Sequence, residues 1–147
     1  MGYAGTKAEE LLGGCVGFVL DFDATNNLLR VTLEGRVTDP ILLDAYTSVA
    51  RYVETHGPCR AIVDVSAATK FDVSSHAIRD LTRRPPAIPK GYMRVFVAPL
   101  DSMYGMVRMF QILTELTRPD LHVVRSVDEA YRLLRVESPK FGPASER

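Results

Sequence analysis

Ile62-Val63-Asp64-Val65-Ser66-Ala67-Ala68-Thr69-Lys70-Phe71-Asp72-Val73-Ser74-Ser75-His76 is the stretch on which the fold turns. Its first part, with Arg60 and Ala61 ahead of it, is nearly continuous apolar, as a central strand covered on both faces is. A tight loop is expected after Val65, and Ser74-Ser75 stand where a helix begins. A hydroxyl at a helix start lies among unpaired backbone N–H groups in a weakly positive field. It can cap the helix, hold an anion or take a phosphate, and the residues leave all three open.

Working outward, Cys15 to Phe22 and Leu28 to Gly35 are strand-like, with the turn formers Asn26 and Asn27 between them. Leu29, Val31 and Leu33 alternate with Arg30, Thr32 and Glu34, a period-two pattern with one buried face, so an antiparallel hairpin is expected. Asp39-Pro40 opens a helix with Asp39 as N-cap, and Leu42, Tyr46, Val49 and Val53 form its inner stripe. Gly57-Pro58 stops it. A short helix follows the serine pair and ends before the proline-rich segment Arg83 to Gly91. Met93 to Ala98 is a strand. Asp101 or Ser102 caps a long helix to about Thr117, and Leu121 to Arg125 is the last strand. Ser126-Val127-Asp128-Glu129 is close to a capping box for a final helix ending at Val136.

Strands alternating with helices imply right-handed crossovers. The expected fold is therefore a single α/β domain: a mostly parallel five-stranded sheet, an N-terminal antiparallel hairpin and four helices. The expected organisation is an N-terminal arm over 1–13, a domain over 14–136 and a disordered tail over 137–147.

Eighteen basic residues balance eighteen acidic ones in 147, so no overall field gathers nucleic acid or anionic lipid. No apolar run approaches the roughly 20 residues of a membrane helix, and the N-terminus lacks the order of a signal peptide. The cytoplasm is the expected compartment. Cys15 and Cys59 show no metal spacing and are expected as reduced thiols without a disulfide.

The element order, together with Phe71-Asp72-Val73-Ser74-Ser75 after a buried strand, resembles the STAS domain, the fold of the bacterial sporulation anti-anti-sigma factors. It looks closest to the broader SpoIIAA-like group, also described as STAS/Sec14-like. The resemblance covers roughly residues 14 to 136. Leu33-Glu34-Gly35-Arg36-Val37-Thr38 looks like that family's strand-Gly-turn into the first helix. In the anti-anti-sigma members the loop reads apolar, any residue, Asp, Ser, Ser or Thr, Gly, and a partner kinase phosphorylates the second hydroxyl. The resemblance thus implies Ser75 as acceptor with Ser74 beside it. Val73 stands at the family's Asp position, Asp72 one residue earlier, and His76 replaces the Gly, which weakens the phospho-switch and leaves the fold resemblance intact.

Asp72, Ser74 and Ser75 are the candidate phospho-acceptor or helix-cap site. A hydrolase reading of Asp72, Ser75 and His76 fails, because neighbours on a helix point about 100° apart and His76 cannot serve Ser75. Arg83, Arg84 and Lys90 flank the prolines as a candidate anion or partner contact. Met103, Met106, Val107, Phe110 and Leu113 make one stripe, and Met109, Ile112 and Leu116 widen it beyond what one sheet face covers, so Met103, Met106, Met109, Phe110 and Leu113 are a candidate dimer face or groove for an apolar ligand. No metal site, no cofactor and no enzymatic activity are expected. The expected function is a bacterial regulatory or protein-interaction module, homodimeric, with a protein partner such as a kinase or anti-sigma-type regulator. The alternative is a Sec14-like small-ligand or lipid carrier, its pocket between the Met103–Leu116 helix and the sheet.

Overall fold

Asn27 supplies the first reversal by taking a left-handed backbone (φ 49°), which joins β1 (Phe18–Asp23) to β2 (Leu28–Thr38) as an antiparallel pair with Phe18 opposite Leu33. The computed structural model describes residues 17–144, so Cys15 and the arm over 1–13 lie outside the described residues. The remaining elements are α1 (Asp39–His56), β3 (Arg60–Asp72), α2 (Ser75–Arg83), β4 (Arg94–Val97), α3 (Asp101–Leu113), β5 (Leu121–Val124), α4 (Val127–Leu134) and β6 (Gly142–Pro143). One mixed sheet runs in the order β5-β4-β3-β2-β1-β6. Its β2-β3, β3-β4 and β4-β5 pairings are parallel, whereas β1 is antiparallel to both neighbours. The chain is thus α/β, with four helices and six strands among the described residues.

Side chains alternate across the sheet, so each parallel strand feeds two cores. Leu29, Val31 and Leu33 of β2 and Ala61 and Val65 of β3 face α1, α2 and α3. Leu28, Ile62, Val95 and Val97 face α4, packing on Ala130 and Leu134. Arg94 and Phe96, the intervening residues of β4, are thereby turned toward the three-helix side.

Four boundaries differ from the sequence reading. Residues 66–72 are not a tight loop: β3 continues to Asp72, paired with a β2 that continues to Thr38. Register shifts at Thr32/Glu34 and Gly35/Arg36 absorb the broken alternation, and Gly35 takes φ 66° there, so Gly35 marks a bulge in a strand, not a turn. Asp39 does not cap α1; Thr38 holds the N-cap position without a side-chain bond, and Asp39 reaches another helix. α3 ends at Leu113, not near Thr117, because buried Thr114 turns its hydroxyl back to the Phe110 carbonyl (2.7 Å) and the next residues form turns.

The fourth correction concerns residues 137–144 of the expected tail, since 145–147 lie outside the described residues. Residues up to Ala144 are packed, adding a sixth strand to the five expected: Pro143 pairs with Asp21, Gly142 with Phe22, and the Arg30 guanidinium lies 4.0 Å over the Phe141 ring. Asp23 holds this segment. Fully buried at the hairpin turn, its carboxylate accepts from Asn26 N (3.2 Å), Asn26 Nδ2 (2.6 Å) and Lys140 N (3.0 Å). Those donors are backbone and side-chain N–H groups that no hydrophobic pattern announces. Cys59 is a free buried thiol, pushed up to about 11 by burial.

Burial alone would raise the Asp23 pKa, but the Asn26 and Lys140 hydrogen bonds outweigh it and hold the group below its ordinary 3.8. A lowered carboxylate stabilises the fold above its unfolded pKa, and that contribution fades as pH falls through the folded value. Asp23→Ala is expected to cost about 2 kcal/mol at neutral pH in urea unfolding, by leaving buried donors unpaired. The gap to wild type should narrow below the ordinary carboxylate range; a gap independent of pH would contradict the assignment.

Candidate functional site

Where α1, α2 and α3 cross the sheet they do not close on it. A cleft of about 110 Å³ remains, floored by Val31, Ala61, Val63 and Phe96. Leu42, Tyr46 and Val49 of α1 form one wall, and Met106, Val107 and Phe110 of α3 the opposite one. Ile78 and Leu81 of α2 close one end, and Phe71, Ala87 and Ile88 complete the rim. The lining is otherwise apolar except for Tyr46 and two arginines, Arg94 and Arg118.

The arginines differ in how they are held. Arg118, 4% exposed, donates from Nη2 to the carbonyls of Leu81 and Arg84, each at 3.1 Å, and lies 5.1 Å from the Phe110 ring. It ties the end of α2 to the segment before β5. Arg94 has no such role: its Nε is buried without a hydrogen-bond partner. Among the described residues neither guanidinium forms an ion pair. Burial, and then the neighbouring Arg118 charge, bring Arg94 down to about 10, against the opposing pull of Tyr46 and Asp120. Burial likewise lowers Arg118. Both stay charged at neutral pH.

The expected stripe on α3 divides between two faces. Met103 is buried and Met106 and Phe110 line the cleft, whereas Met109 and Leu113 face outward with Ile112 and Leu116. The five residues therefore do not form one surface, because α3 has the sheet on one side only. The basic loop also disperses: Arg84 pairs with Asp80 (2.9 Å) and lies over the Tyr46 ring, while Arg83 and Lys90 are exposed away from the cleft lining. Sequence reasoning did not single out Arg118 at all. For Arg94 a signal existed, since a charge two residues from Phe96 on an apolar strand must share its face.

The serine pair resolves into two different environments. Ser74 is the N-cap of α2, its Oγ accepting from Ala77 N (3.0 Å) and donating to Asp39 Oδ2 (2.7 Å). Asp39 Oδ1 accepts from Ser74 N (2.7 Å), and these bonds lower the Asp39 pKa. Ser75 is the first helical residue and exposed. Asp72 pairs with Arg36 and is not a cap. Val73, 8% exposed, belongs to the core. A phosphate on Ser74 would meet the Asp39 carboxylate, whereas Ser75 has open solvent. Among the described residues no group of three or more His, Cys, Asp or Glu is placed to hold a metal ion, and no helix is long and apolar enough to cross a membrane.

Ser74→Ala is expected to destabilise the protein by about 1 kcal/mol in chemical denaturation, and Ser75→Ala by no more than a few tenths. Equal losses would contradict the distinction. Comparison with known proteins adds no name to this geometry: no protein-family model matches the chain, and no curated protein is found to be similar to it.

Proposed function

We propose that this domain works by binding, not by turnover, and that it takes a small apolar ligand in the cleft between α3 and the sheet. The observation that carries the reading is the cleft itself, open within a core that elsewhere packs to under a tenth exposure. Interiors ordinarily pack with few voids larger than a water. An enclosed apolar hollow of about 150 Å³ holds a benzene molecule, and this one, about 110 Å³ but open as a cleft, suits at most a single ring or a short aliphatic chain. A two-chain lipid is too large for it. The hairpin feeding a parallel series, with helices between, supports a STAS-like assignment and, within it, the Sec14-like alternative. A bacterial, cytoplasmic setting belongs to the same proposal.

A second reading, the regulatory interaction module, draws on the outward face of α3. Ile112, Leu113 and Leu116 are 57%, 58% and 87% exposed, an apolar row of the kind that partners cover. Self-association through this row predicts a dimer; a single species of 16.3 kDa at high micromolar concentration in sedimentation would remove it.

Methionine methyl NMR tests the first reading with an internal control. Titration with toluene should shift the Met106 methyl, which lines the cleft, and leave exposed Met109 in place. Val63→Phe, filling the floor, should weaken the toluene response at least tenfold while the protein stays folded. Unshifted Met106 at saturating toluene would end the proposal.

A further inference from the structure

We propose that the ligand is an apolar monocarboxylate, its head bound by the Arg94 and Arg118 guanidinium groups and its tail laid against Phe96, Met106 and Phe110. This rests on reading the cleft as a ligand site and specifies what enters it.

The alternation of β4 places Arg94 on the cleft side, two residues before Phe96 and paired in register with Ala61 and Leu121. A guanidinium offers five N–H donors in a fixed fork. Arg118 spends donors on two carbonyls, which satisfy hydrogen bonding but carry no charge. Arg94 leaves a buried N–H unmatched in an apolar lining, where an unpaired polar group is costly. The Arg118 charge lowers Arg94 further, so the Arg94 cation is harder to keep in the lining. An oxyanion between them relieves both, and a carboxylate fits the fork bidentately.

The local charge selects a single negative head. Asp120 is the carboxylate that acts on Arg94, and its Oδ2 already accepts from Gly91 N (2.8 Å). Two guanidinium charges less one carboxylate leave one positive charge to neutralise. The Tyr46 hydroxyl is committed to the Pro85 carbonyl and adds no free donor. Beyond the arginines the walls offer only hydrocarbon, aromatic rings and a thioether, which suits a tail of about six carbons.

The test compares hexanoate, hexan-1-ol and hexyl phosphate on the full chain, read at the Met106 methyl at neutral pH. Hexanoate is expected to bind about tenfold to a hundredfold more tightly than hexan-1-ol. Arg94→Met should collapse that preference. Equal affinity for acid and alcohol overturns the carboxylate head while leaving the apolar cleft as a ligand site. Binding of neither overturns both readings. Hexyl phosphate binding more tightly than hexanoate overturns the monoanion assignment, and a preference that survives Arg94→Met overturns the role of Arg94. The wild-type comparison needs no variant, so it decides the matter even if Arg94→Met does not fold.

Discussion

The long parallel pairing of β2 with β3 governs where everything else can go. Its register runs from Leu28 opposite Arg60 to Thr38 opposite Asp72, with two shifts absorbed on the way. Both strands therefore end side by side, and the helices that follow them, α1 and α2, begin side by side. That is why Asp39, one residue past β2, meets Ser74, two past β3, and why Arg36 meets Asp72. Neither contact is available to strands that stop at Gly35 and Val65. The same pairing sets the span between α1 and α2, the helix that closes one end of the hollow over Val31 and Val63.

The two arginines that line the cleft contrast in what the fold needs from each. Arg118 bridges the Arg84 carbonyl and the Leu81 carbonyl, which also accepts from Arg84 N, and so anchors the end of α2. Its presence has a structural reason. Arg94 crosses no gap and closes no helix, and an apolar side chain of similar length would fill its place at lower desolvation cost. The Arg94 guanidinium lines the hollow on one side and lies near Arg118, Tyr46 and Asp120, with its Nε left unmatched.

The sheet class, hairpin and helix order were legible in the sequence because each rests on local signals. Leu29, Val31 and Leu33 alternate over two turns of the pleat; Gly57 ends α1 at φ 98°; Ser126 and Glu129 cap α4 as their spacing says. What was not legible depends on partners distant in sequence. Residues 66–72 lack strand patterning and are extended only because bulged β2 supplies the hydrogen bonds. Residues 137–144 lack it too, and are held through Lys140 N on Asp23, 117 residues away. In the candidate site, Met106 and Phe110 were visible from helical spacing, but their separation from Met109 and Leu113 required knowing which side of α3 the sheet occupies. Arg118 lies in a turn with no periodicity to assign it a face.

One short helix joins the features that the sequence kept apart. α2 begins at the Ser74 cap, turns Ile78 and Leu81 into the hollow, and ends with the carbonyls that hold Arg118. A helix of nine residues is too short to be stable alone and takes its position from these attachments. The cap fixes one end to α1 through Asp39, and Arg118 fixes the other to the segment before β5. Whatever fills the hollow presses on the middle, between the two fixed ends. The serine pair therefore stands at one terminus of the helix that closes one end of the hollow. The capping and cleft readings describe opposite ends of one rigid piece, linked by backbone hydrogen bonds and not by any conserved-looking motif.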